Sequence, residues 1–425
     1  MPNTKHQNHQ NTTLAILAWS AVALFYFYQY ILRVAPGIMI NEIRQDFALT
    51  ADQFGTLGSF YLYAYSLLQI PLGIIVDRAG VRRTIIASII LCLAGSTLMA
   101  FSHIFTLAQL SRIMIGAGSA SAFMCSLKII ADRLPPGSRG FLMGLTLTLG
   151  TIGALIAGKP LVYLLDAHGW RSTMLYTTIA GACILVFSLI FLPKKKHPNL
   201  NQETLKSIGK NILSVIKNHQ VMLYAFLAIG IYTPLSALAD LWGTAFLMQK
   251  FSLPRAEAAH TTMMLYIGLA TGSLLMPWLC EKYNILNLTI QICGVAILAL
   301  FAFLLYGPAI NGFQLIFVLI ALGFFCGAEM MCFTGALLYS NPNNSGITIG
   351  VVNTLNMLGG AILQQFIGYN LDLQWNGLTD ANGIRLYTSH QFIIALSILS
   401  IVVLICCLAS LKLNKRKSIT TITAS

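Results

Sequence analysis

The stretch Gly73-Ile-Ile-Val-Asp77-Arg78-Ala-Gly80-Val-Arg82-Arg83 decides how this chain is read. It is a short charged link, one acid and three arginines, set between the apolar stretches 53–76 and 84–101. An apolar run of about 20 residues crosses a bilayer as a helix. The link is therefore a tight turn at a membrane surface. Gly73 and Gly80 permit a sharp turn and close helix approach. Asp77 can cap or pair across the helix ends, and Arg78, Arg82 and Arg83 suit anionic lipid headgroups.

Working outward, further apolar runs make twelve in all: 14–38, 53–76, 84–101, 105–130, 140–165, 172–192, 220–248, 258–280, 287–306, 312–339, 346–370 and 389–411. Of the 425 residues, 56% are hydrophobic and 9% charged, with a mean hydropathy of +0.74. A soluble chain carries about 25% charged residues, so a soluble enzyme, a nucleic-acid binder and a disordered chain are excluded. The stretch from Leu14 to Pro36 is too long for a signal-peptide core and is expected to stay as the first span. The nine cysteines lie in apolar stretches without metal spacing and read as small buried hydrophobes.

The longest polar interval, Pro193–His219, carries Lys194, Lys195, Lys196, Lys206, Lys210 and Lys217. It divides the chain into a six-span half at 1–193, a basic linker at 194–218 and a second six-span half at 219–425. The net charge of +13 is unevenly placed. The side that holds both termini has seventeen Lys and Arg, against six on the other side. Basic loops stay in the cytoplasm, so both termini are expected there, in an inner membrane. The halves repeat faintly: Gly73-x3-Asp77-Arg78 after span 2 corresponds to Pro277-x3-Glu281-Lys282 after span 8.

The Gly73–Arg83 link resembles the signature loop of the major facilitator superfamily. Arg112-Ile-Met-Ile-Gly116-Ala-Gly118, Asp132-Arg133-Leu-Pro135-Pro136-x2-Arg139-Gly140 and Trp170-Arg171 are similar to further motifs of that family. The resemblance covers the whole chain. It implies an all-α membrane protein of twelve transmembrane helices, built as two six-helix pseudo-repeats around a central cavity lined by spans 1, 4, 7 and 10. It also implies gating by Gly73, Asp77, Arg78, Gly80, Arg82 and Arg83. Within the family, Tyr30-Ile-Leu-Arg33-Val-Ala-Pro36 is similar to the Tyr-x-x-Arg segment of organic-anion symporters, and Ser111–Pro135 lines up with their fourth helix. Those symporters often carry an acid just before the arginine, where Leu32 stands here. Amino-acid importers of intracellular bacteria are a second near relative. The Gly-Pro-x-x-Gly-Gly pattern of drug antiporters is not matched by Gly150-x2-Gly153-x4-Gly158-Lys159-Pro160.

A charge at mid-membrane costs about 2.5–3.5 kcal/mol on insertion scales and marks function by default. Two acids lie well inside spans, Asp240 in span 7 and Glu329 in span 10. Arg33, Arg112 and Lys159 lie inside spans of the first half, and Lys128 lies near an end of span 4. The expected site is a polar cleft with a cationic wall in the first half and an anionic wall in the second. Tyr26, Gln29 and Tyr30 share a helical face with Arg33, and Tyr61, Tyr65 and Gln69 share one on span 2. Asn353, Asn356 and Gln364 form a stripe on span 11, and Trp242 follows Asp240 closely. These fourteen positions, Lys159 and Arg112 included, are the expected substrate-binding residues, with Asp240 or Glu329 carrying the proton.

No catalytic constellation and no ATP-binding GxxxxGK[ST] sequence occurs. The expectation is a monomeric secondary transporter without cofactor, not an enzyme, whose partners are a small solute, protons and membrane lipids. Arg33 would take a carboxylate and Asp240 an ammonium, so that amino acids or short peptides come first as substrates. Simple organic anions or sugar acids are the alternative, and an exporter of drugs or siderophores is the rival of opposite direction.

Overall fold

The computed structural model describes residues 3–193, 205–310, 312–341 and 344–413. Twelve helices among them are long and apolar enough to cross a membrane: Thr13–Ile38, Ala51–Ala79, Val81–Phe101, Phe105–Arg133, Gly137–Ile156, Lys159–Phe191, His219–Phe251, Arg255–Tyr283, Leu286–Tyr306, Gly312–Leu338, Ser345–Leu373 and Ser389–Ser410. Spans 1 to 12 below follow this order. The even number puts the two ends of the bundle on one side, called here the terminal side; the opposite face is the far side. Lys194, Lys195 and Lys196 of the basic linker lie outside the described residues, and a helix at Leu205–Ile216 follows them.

Boundaries follow local chemistry. Thr50 and Thr388 open spans 2 and 12 on the far side with reciprocal capping to Gln53 and Gln391, which occupies amide donors that a helix start leaves orphaned. Gly80, at φ 80°, ends span 2 in a conformation that favours glycine. Span 5 differs from its expected single run over 140–165. The helix steps out of register at Ala157–Gly158 and resumes at Lys159, and the turn into span 6 comes at Gly169, with φ 76°. A positive φ at a residue without Cβ makes that corner cheap, which the apolar pattern does not register.

The repeat is clearer in three dimensions than in the sequence. Span 4 is interrupted at Ala120–Ser121 and span 10 at Gly327–Ala328, 207 residues further on. A methyl group on Gly116 of span 4 would lie 2.1 Å from the Tyr61 carbonyl oxygen of span 2; one on Gly323 of span 10 would lie 2.0 Å from that of Leu265 in span 8. Glycine at both places lets backbones touch, the usual glue of helices in lipid. Gly153 does the same for span 5 against the Phe27 carbonyl of span 1, and Gly150 makes room for the Tyr26 ring.

Contacts between the halves concentrate towards the far side. A methyl on Gly37 would sit 2.8 Å from the Leu241 carbonyl, and one on Gly368 would sit 2.3 Å from that of Ala51. Span 2 runs along span 11 through Ser59 Oγ donating to the Ala361 carbonyl (2.7 Å) and Thr354 Oγ1 donating to that of Ser66 (3.1 Å). At the terminal ends of the same two spans, methyl groups on Gly73 and Gly346 would meet nothing within 4 Å. The two halves interlock on the far side, and these two positions of the terminal side leave room for a side chain.

Candidate functional site

Span 7 changes helix type at its centre. Pro234 lacks the amide proton that a regular helix uses, and Leu238–Trp242 form a π-turn, closed by the Gly243 amide on the Leu238 carbonyl. Such turns recur at functional sites. This one carries Asp240 and Trp242.

The close approach at Gly37 brings Arg33 of span 1 to Asp240. Arg33 Nε and Nη2 donate to Asp240 Oδ2 at 2.9 and 2.6 Å, and Nη2 also donates to the Tyr232 hydroxyl at 2.6 Å. The other carboxylate oxygen accepts from the Tyr266 hydroxyl. Both charged side chains are buried, 5% and 3% exposed. The pair joins the first half of the chain to the second across a buried seam.

Arg112 is buried next to the pair, in a shared tight pocket bounded also by Tyr61, Leu241 and Gln364. Its Nη1 donates to the Leu32 carbonyl at 2.9 Å, its guanidinium lies 4.8 Å from the Tyr61 ring centre, and its Nε has no hydrogen-bond partner. Among the described residues no carboxylate pairs with it. Tyr61 in turn donates to Gln29 Oε1 at 2.8 Å, joining the polar faces of spans 1 and 2.

Glu329 begins the second part of span 10, directly after the Gly327–Ala328 break, and is 5% exposed. Its partner is a neutral amide: Asn356 Nδ2 donates to Glu329 Oε1, while Asn356 Oδ1 is buried without a partner. Aromatic rings occupy the ground between the two acids. Tyr30 packs edge-on against Tyr266 (5.6 Å between centroids) and Tyr26 (5.2 Å), and the Tyr26 and Tyr30 hydroxyls lie 3.3 Å apart.

Several expected residues fall in this group and others do not. Arg33, Asp240, Arg112, Tyr30, Tyr26, Gln29 and Tyr61 form one cluster. Tyr65 stacks on Tyr61, and Gln69 reaches the Ala120 carbonyl at the span-4 break. Trp242 and Gln364 act together at the seal: the indole N–H donates to the Gln364 carbonyl at 3.0 Å, and Gln364 Nε2 donates to that of Ser236 at 2.7 Å. Asn353 is half-buried, one turn from Asn356. Lys159 stands apart, half-buried at the step in span 5 with its ammonium over the exposed Tyr163 ring. The expected cationic wall therefore consists of two arginines. Of the loop residues, Asp77 pairs with Lys128 of its own half, and Arg82 donates to the Leu189 and Leu192 carbonyls at the end of span 6.

The sequence reading did not include Tyr232 and Tyr266, whose hydroxyls complete the ion-pair network. A tyrosine inside an apolar helix looks like any core aromatic, and nothing in its own stretch of sequence marks a polar partner.

Twelve spans in two similar halves, with buried charges where the halves meet, define a membrane protein of two six-helix units. Residues 19–363 match the model of the Major Facilitator Superfamily, and the chain belongs to that family. The cis,cis-muconate transport protein of Acinetobacter baylyi is 24% identical over 86% of this chain and 90% of its own length. The probable galactarate/D-glucarate transporter GudP of Escherichia coli is 23% identical over 90% and 93%. An uncharacterized transporter of Bacillus subtilis is 30% identical over 51% of this chain, which there spans 48% of the relative's length. In fold, the nucleoside transporter NupG superposes with a TM-score of 0.75 over 94% of this chain and all of that one, at 16% identity.

Proposed function

We propose that this protein imports small organic acids, of the sugar-acid or dicarboxylate kind, together with protons. The observation that carries the reading is Arg112. It is a buried guanidinium without a carboxylate partner, beside an Arg33–Asp240 pair that is already neutral, so the centre holds a cation in want of an anion. A substrate carboxylate supplies it, with the planar donor fork that arginine offers. The relatives named for muconate and for galactarate and glucarate agree in chemical class. The expectation of amino acids rested on Arg33 and Asp240 each facing one end of a zwitterion. Here each faces the other, which removes that support.

Glu329 is the proton carrier in this reading. Its neighbour is a neutral amide and not a cation, and taking up a proton balances its charge when the substrate's own negative charge arrives. The terminal side, richer in lysine and arginine, is the cytoplasmic one, so that the interlocked far side faces outward.

The test is uptake into proteoliposomes of labelled cis,cis-muconate, D-glucarate and alanine, with the lumen alkaline or at equal pH. Accumulation of one of the acids, dependent on the gradient, is expected. Arg112→Gln should raise the half-saturating concentration at least tenfold. Glu329→Gln should lose accumulation yet keep exchange of substrate across the membrane. Alanine uptake without acid uptake would revive the zwitterion reading, and extrusion of a cationic dye would point to export. If Glu329→Gln and Asp240→Asn both still accumulate substrate, neither acid couples protons.

A further inference from the structure

The far side carries a second polar pocket, on the outer surface of the seal. It has a volume of about 280 Å³, near the lower end of ligand-pocket sizes of about 300–1,000 Å³. One wall is the short helix Ile40–Phe47 that follows span 1, with Asn41, Arg44 and Gln45; the other comes from the second half, with Gln249, Arg385 and Tyr387. The Trp242 ring forms part of its lining. The pocket exists only while the halves are together, because each half supplies one wall.

Arg44 is the unusual member. It is 7% exposed. Its Nε donates to the Leu49 carbonyl at 3.3 Å, its Nη2 donates across the halves to the Arg385 carbonyl at 2.9 Å, and its guanidinium lies 5.1 Å from the Tyr387 ring centre. All of these partners are neutral. Of the nearby carboxylates, Asp380 also lines the pocket, its Oδ1 held by the amides of Asn382 and Ile384, and Asp372 accepts Arg385 Nη1, the Tyr387 hydroxyl and the amides of Ala51 and Asp52. Among the described residues no carboxylate forms an ion pair with Arg44. Burial pulls the guanidinium below its ordinary value, and the nearby Tyr387, Asp372 and Asp380 offset only part of that pull.

We infer that this outer pocket is a second binding site for a small carboxylate, with Arg44 as counter-charge, and that its occupant holds the far side shut. A ligand that binds only the sealed form shifts the equilibrium towards it. The pocket adjoins the Asp372 carboxylate, which caps the start of span 2 from the other half, so closure has a direct reporter: the Ala51 and Asp52 amides exchange slowly while that cap is in place. The inference rests on the proposed function only for the choice of probe.

The experiment is hydrogen–deuterium exchange of the purified full chain with D-glucarate, and with sorbitol as the neutral control. Glucarate should slow exchange in the peptide holding Ala51 and Asp52, in wild type and in Arg112→Gln alike, and sorbitol should not. Arg44→Gln should raise the glucarate concentration needed at least tenfold. Asn41→Trp, which fills the pocket and leaves the Arg44 guanidinium in the chain, should do the same and guards against misfolding of the first variant. Loss of the effect in Arg112→Gln would place it at the central site and overturn the inference. So would an unchanged response in both Arg44→Gln and Asn41→Trp, or no slowing in wild type. Uptake measured on the same preparation keeps the two readings apart: uptake without far-side protection sinks the outer site alone, and protection without uptake sinks the import reading alone.

Discussion

The two faces of this molecule are closed by different means. On the far side, spans 1 and 7 and spans 2 and 11 meet backbone to backbone at glycines, and charged groups span the seam at two depths: the buried Arg33–Asp240 pair, and the outer link of Arg255 to Glu42 and Asp166. On the terminal side, among the described residues, the Gly73–Arg83 loop has hydrogen-bond and ion-pair partners only in its own half. Asp77 is 69% exposed and paired with Lys128, next to open space. The difference teaches where the closing energy of this state resides. A seam of interlocked backbone and desolvated charge tolerates little change, whereas a solvated loop tolerates much until its own face has to close.

The sharpest way to break this comparison is to remove one charge from the centre. Asp240→Ala leaves Arg33 buried and unpaired, a loss of about 3–5 kcal/mol. Transport should vanish and the protein should unfold at markedly lower temperature, while the exchange Arg33→Asp with Asp240→Arg should recover part of the stability. A single variant as stable as wild type would mean that water reaches the pair.

Next in size is the seam itself. Gly368→Ala places a methyl 2.3 Å from a backbone oxygen, where Gly346→Ala on the terminal side meets nothing. Overpacking of this kind costs about 1–3 kcal/mol. Faster deuterium exchange at the Ala51 and Asp52 amides is expected for the first variant and not for the second; equal behaviour would erase the contrast between the faces.

Asp77→Asn should leave unfolding temperature and equilibrium substrate binding nearly unchanged, because an exposed pair contributes about 0–1 kcal/mol. Flux in proteoliposomes should nevertheless fall under the proposal that this loop gates the terminal side. Normal flux would remove the gating role. Smallest of all, Arg255→Gln should weaken the outer seam by about 1 kcal/mol or less, an effect that fades as salt is raised. A salt-independent loss would show the link to be more desolvated than its partial exposure implies.

The sequence carries this architecture unevenly. Twelve spans were legible because a helix in lipid must be long and apolar, and the loop and the intramembrane charges were legible because charge is rare there. That Arg33 and Asp240 would meet was only half legible, as two walls without an address. Their contact depends on a backbone approach at Gly37 and a π-turn at Leu238–Trp242, neither of which has an apolar periodicity of its own. Lys159 misled for a related reason. Counted along one straight span it points to the centre, but the step at Ala157–Gly158 turns it towards Tyr163. Tyr232 and Tyr266 were hidden because a hydroxyl changes hydropathy little and its partner lies a helix away.

The central ion pair also shows how far the two halves have ceased to be interchangeable. In a dimer of identical six-span chains, every contact between a cation of one copy and an anion of the other would come twice, once in each direction. The buried bond seen here puts the cation on the first half and the anion on the second. Among the described residues no second buried ion pair runs the other way. Arg33 and Asp240 therefore give each half a place that the other cannot fill.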